Sequence, residues 1–68
     1  MNNQQEVEQK IVQEAKKNLK ETNKPLRYCV SDAILTNISI SDINGMSIFL
    51  SDYVDYIIKI IKDGENNG

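Results

Sequence analysis

The chain has no histidine and no tryptophan, and it has a single cysteine, Cys29, among 68 residues. Without histidine, it lacks the side chain that most often acts as a general base near neutral pH. A lone thiol cannot form an intramolecular disulfide, and there is no cluster of histidines and cysteines to hold a structural metal. We therefore expect a cytoplasmic protein that is not an enzyme and that has neither a metal nor another cofactor.

Glycine and long apolar runs are also scarce. The three glycines do not form a phosphate-binding loop, because such loops need several glycines at fixed spacing. No apolar run approaches the roughly 20 residues of a membrane span, and residue 1 does not open a charged-then-apolar leader. The sequence therefore predicts no membrane association.

Length and charge limit the remaining possibilities. A chain of 68 residues forms one small domain, residues 1–68, in which we expect 1–3 and 64–68 to be frayed tails. A core of this size is marginally stable alone, so we expect a homodimer or another homo-oligomer. The net charge of −2 argues against a nucleic-acid partner without excluding one. The abundance of Ile, Asn and Lys is typical of a low-GC bacterium or its phages.

The first element is predicted to be a helix from about Gln4 to Glu21. Asn3 is its expected N-cap, with Glu6 three residues later as in a capping box. Four apolar residues recur at four-residue steps, which predicts one narrow apolar stripe: Val7, Ile11, Ala15 and Leu19. Pro25 should end this element, since proline cannot continue the helical hydrogen bonding.

The segment from Leu26 to Ile38 permits two interpretations. Its apolar residues lie at i, i+3, i+4, i+7, i+8 and i+12, which favours a helix with Pro25 in its first turn. Residues 26–30 also alternate between apolar and less apolar side chains, as in a short strand. From residue 36 to 45 we expect the end of this helix and a connecting loop, with Gly45-Met46-Ser47 leading into the last helix.

The last helix, drawn from Met46 to Asp63, is apolar over roughly 200° of its circumference. A helix packed on one layer needs about half of that arc. The surplus predicts a second packing surface, supplied by this chain or by another one. We expect the flank of this helix to form a partner or dimer interface, with four contributing residues: Phe49, Tyr53, Tyr56 and Ile60.

If residues 26–30 form a strand, residues 24–63 weakly resemble the ribbon-helix-helix repressors. The resemblance depends on Arg27 as a groove-facing residue, on Gly45 in the turn, and on Leu50-Ser51-Asp52 before the second helix. It implies a two-chain ribbon inserted into the major groove of DNA, but one basic residue gives that ribbon little to read bases with.

The interpretation that fits most of the pattern is an all-α domain of three helices that forms a dimer. Its expected function is that of a non-catalytic regulatory or adaptor protein, which binds a partner protein through helix-mediated contacts. The alternative is a DNA-binding transcriptional repressor of ribbon-helix-helix type.

Overall fold

A computed structural model of the chain describes residues 3–67, with the side chains of residues 5–64. The described residues form four helices and no strand: α1 (Asn3–Glu21), α2 (Leu26–Asn37), α3 (Ile40–Gly45) and α4 (Leu50–Asn67). The all-α prediction is confirmed, and the fold contains one short helix more than the three expected. None of the described helices is both long enough and apolar enough to cross a membrane.

Helices α1 and α2 form an antiparallel hairpin. Near its loop, Thr22 lies beside Cys29, and at its far end Asn37 Nδ2 donates a hydrogen bond to Glu14 Oε2 at 2.9 Å. The middle of the predicted stripe of α1 is fully buried at Ile11 and Ala15, whereas its last residue, Leu19, is 39% exposed, contrary to the prediction. The start of α1 at residue 3 is one residue earlier than predicted, and the capping side chain proposed at that position lies outside the described side chains.

Helix α2 resolves the ambiguity of residues 26–30. Its buried residues lie at the helical spacing that the sequence shows: Cys29, Val30, Ala33 and Ile34. Pro25 occupies the N-cap position rather than the first turn, and its carbonyl accepts the Cys29 N–H at 3.1 Å. The strand alternative is therefore wrong, because burying these four side chains together requires the helical period, and residues 26–30 form no ribbon.

Helix α3 was not predicted, since residues 36–45 were expected to be a loop after the end of α2. The Ser39 hydroxyl accepts the Asp42 N–H at 3.1 Å and so caps the first turn. Ile43 points into the core and is 3% exposed. These two interactions explain why a six-residue helix forms in a segment with alternating polarity.

Helix α4 begins four residues later than the drawn helix and continues past its predicted end. Residues 46 and 47 form a turn, and Ser47 has a φ of 57°, which no helical residue adopts. The helix was expected to end at Asp63-Gly64 but runs to Asn67. A single glycine costs a helix about 1 kcal/mol and does not by itself stop it.

The wide apolar arc of α4 is explained by packing within the chain. The centre of the arc is buried, with Val54, Ile57 and Ile61 at most 3% exposed. One flank lies against α1, where Ile60 shares a hollow with residues 5–16. The other flank lies against the start of α2, where Asp55 pairs with Arg27. Most of the second packing surface is thus supplied by this chain itself.

Candidate functional site

The four residues predicted to form an interface have three different environments. Phe49 immediately precedes α4 and is 78% exposed, the largest value among the exposed apolar side chains described. Tyr56 is 46% exposed, whereas Tyr53 is 5% exposed and belongs to the core. Ile60 is half-buried against the core. In the single chain, Phe49 and Tyr56 are therefore available to a partner, and the interface itself stays a prediction.

Two residues that the sequence analysis missed join Phe49 and Tyr56 into one surface. Met46 is 42% exposed and Ile48 is half-buried. Ile48 lines two hollows, one that it shares with Met46 and Tyr56 and one that it shares with Phe49. We call these four residues the Phe49 patch, in which Ile48 links the two hollows: Met46, Ile48, Phe49 and Tyr56. It was missed because residues 46–49 were drawn as a turn of α4 instead of as the connection before it.

The backbone that carries the patch is held in a strained turn. Ser47 has left-handed backbone angles, which cost an L-residue roughly 1–2 kcal/mol. Its N–H donates to Asn44 O at 3.1 Å, and the Met46 N–H donates to Asp42 O at 3.2 Å, so the turn is bonded to the end of α3. The connection before α4 is therefore anchored, although it lies at the surface.

Two carboxylates, Glu8 and Asp52, lie beside the Phe49 patch. The Tyr56 hydroxyl donates to Glu8 Oε1 at 3.1 Å, and this hydrogen bond, together with the charge of Glu8, raises the pKa of Tyr56. Burial raises the pKa of Tyr53, and the charges of Glu8 and Tyr56 raise it further. The exposed Asp52 is three residues from Phe49 and four from Tyr56, which places it on the same side of α4. Glu8 and Asp52 therefore give this rim two carboxylates against one cation, Lys59, which lies three residues after Tyr56.

An apolar groove lies on the other flank of α4, between that helix and the start of α2. Its volume is about 500 Å³. We call it the Tyr28 groove, and its lining consists of Pro25, Tyr28, Leu50 and Val54 with Arg27, Ser31 and Ser51. Tyr28 is 56% exposed. The groove is open to solvent and has an apolar floor.

The rim of the Tyr28 groove is basic at its α2 side. Lys24 Nζ lies 4.6 Å from the centre of the Tyr28 ring, a cation–π contact. Arg27 forms an ion pair with Asp55, and both side chains are exposed. Two cations and one carboxylate therefore border the groove, which gives it the opposite charge to the Phe49 patch.

The remaining chemistry-bearing residue, Cys29, is buried at 1% exposure, as expected for a small hydrophobic side chain. Its Sγ lies 3.8 Å from Lys24 O and 3.9 Å from Thr22 Oγ1. Among the described residues, no three His, Cys, Asp or Glu side chains come together as metal ligands would. The Phe49 patch and the Tyr28 groove can bind apolar and charged groups of another molecule.

Comparisons with protein-family models, curated proteins and solved structures find no match for this chain.

Proposed function

We propose that this chain is a non-catalytic regulatory or adaptor protein of the cytoplasm, which acts as a homodimer or higher oligomer through contacts of the Phe49 patch. The observation that carries the proposal is the exposure of Phe49 next to Met46, Ile48 and Tyr56. Contiguous exposed apolar surface with a polar rim is typical of protein interaction sites. Phe49 belongs neither to the buried core nor to the half-buried side chains packed against it.

The energetics of the patch support a binding role. Fully burying a side chain such as Phe or Met stabilises a complex by about 1.5–3 kcal/mol before the entropy of association is subtracted. Aromatic residues surrounded by smaller contacts often dominate an interface. The anchored turn at Ser47 restricts the backbone next to Phe49, which reduces the entropy that is lost on binding.

The test is co-purification from the native host with three tagged chains: wild type, Phe49→Ser and Leu19→Ser. Leu19 is a matched control because it is an exposed apolar residue, 39% exposed, on α1 and outside the hollows of the patch. We expect wild type and Leu19→Ser to retain the same partners, including untagged copies of the chain. Phe49→Ser should lose them while its circular dichroism spectrum remains helical. If Phe49→Ser retains every partner, the Phe49 patch is not the interaction surface.

A further inference from the structure

The two apolar features of the surface have opposite shapes and lie on opposite flanks of α4. Phe49 protrudes, at 78% exposure, just before the first turn of α4, and Tyr56 of the same patch bonds Glu8 of α1. The Tyr28 groove is a depression of about 500 Å³ beside α2. Cavities of about 300–1,000 Å³ are large enough to bury an apolar group of several side-chain atoms. The groove can therefore hold an aromatic ring from another molecule.

Their charges are opposite as well. Glu8 and Asp52 lie beside the Phe49 patch with Lys59, whereas Lys24 and the Arg27–Asp55 ion pair lie beside the groove. Two patches placed face to face would bring four carboxylates and two lysines together, and two grooves would bring four cations and two carboxylates together. A patch placed on a groove instead brings carboxylates to cations, and such complementarity favours the encounter and suppresses the other arrangements.

We infer that the Phe49 patch of one molecule binds the Tyr28 groove of a second copy of the same chain, with the Phe49 ring inserted into the groove. This inference rests on the proposed function and names the partner of its surface. Because the patch and the groove lie on opposite flanks of α4, one molecule cannot fill its own groove. A single patch-to-groove contact leaves one patch and one groove free, so the assembly closes, as a dimer or a larger ring, or extends by further contacts of the same kind.

The test uses two full-length variants, one without the Phe49 ring and one with the groove filled. Phe49→Ser removes the ring and keeps the groove. Ser51→Trp fills the groove from an exposed position on its rim and keeps Phe49. Sedimentation velocity over a range of concentrations should show association of the wild type. Each variant alone should associate roughly tenfold to a hundredfold more weakly, which corresponds to losing one buried aromatic contact.

Mixing the two variants gives the decisive measurement. The intact ring of Ser51→Trp and the intact groove of Phe49→Ser should together form a one-to-one complex that grows no further. Leu19→Ser, which touches neither feature, should associate like the wild type.

Three results would overturn the inference. If Ser51→Trp self-associates like the wild type, the groove is not occupied and the patch pairs in another way. If the mixture stays monomeric while the wild type associates, ring and groove do not meet. If the wild type is monomeric at every concentration, a second copy is not the partner; the proposed function then depends only on whether Phe49→Ser loses other proteins in co-purification.

Discussion

Replacing Ile57 with alanine should destabilise the fold far more than replacing Phe49 with alanine, although the second change removes more atoms. Ile57 is 0% exposed at the centre of the α4 arc, and Phe49 is 78% exposed at its edge. Truncating a buried isoleucine to alanine typically costs about 2–5 kcal/mol, because it removes contacts and leaves a cavity. A substitution at an exposed site usually changes stability by no more than about 0.5 kcal/mol.

The difference is large on the scale of this protein. At roughly 0.05–0.15 kcal/mol per residue, a chain of this length has a free energy of unfolding on the order of 3–10 kcal/mol. In a domain of this size each kcal/mol corresponds to a change in Tm of about 4–8 °C. We therefore expect Ile57→Ala to lower the Tm by at least about 8 °C, or to leave the chain unfolded at room temperature.

Thermal and urea unfolding followed by circular dichroism would measure both effects. Each variant should be compared with the wild type at low and at high protein concentration, because association through Phe49 would add stability only at high concentration. If Phe49→Ala lowers the Tm at low concentration as much as Ile57→Ala does, then Phe49 contributes to the core of the single chain. The assignment of Phe49 to a binding surface would then be wrong.

Three further predictions concern single interactions. Ser47→Gly should raise the free energy of unfolding by up to about 1 kcal/mol in urea titrations, since glycine adopts the left-handed conformation without strain. Ser39→Ala should lower it by about 0.5–2 kcal/mol in the same assay, because α3 loses its N-cap. The pKa values of Tyr53 and Tyr56 are raised, so the folded state holds these two protons more tightly than the unfolded state does. The stabilisation that results is complete below pH 10.0 and is lost as the pH rises through the raised pKa values. Glu8→Gln should lower both pKa values towards 10.0, as measured by the ultraviolet absorbance of tyrosinate; unchanged titration would show that Glu8 does not act on them.

The sequence predicted α1 and α2 because the spacing of their apolar residues matches the positions that pack into the core. Ile11 and Ala15 of α1, and Cys29 and Ala33 of α2, lie at four-residue steps and are all buried. Pro25 correctly marked the boundary between the two helices. The competing strand pattern covered only five residues, so the longer helical period was the better guide.

The sequence did not predict α3, although it contains a signal for it. Ser39 followed three residues later by Asp42 is a capping arrangement, and the Ser39 hydroxyl does bond the Asp42 N–H. The alternation of isoleucine with polar residues hid this signal, because in so short a helix only Ile43 has to face the core. The start of α4 was misplaced for a related reason: nothing in the residue types marks Ser47 as left-handed, since this conformation is usually occupied by glycine.

The candidate site was predicted in part. Phe49 and Tyr56 are exposed as a binding role requires, whereas Tyr53 and Ile60 pack into the chain itself. The width of the apolar arc correctly indicated a second packing surface for α4. It could not indicate which molecule supplies that surface, because a helix buried between α1 and α2 has the same sequence pattern as one buried between two chains.

The position of Cys29 gives the protein a chemical reporter of its own motion. The thiol is enclosed where α1 and α2 meet, beside Thr22 and the Lys24 carbonyl, and it is the only thiol in the chain. A thiol reagent can modify it only after the loop end of the hairpin has opened. The rate of alkylation of the native protein therefore measures how often that end opens. Comparing this rate with the rate of global unfolding would show whether the hairpin opens locally while α4 stays packed.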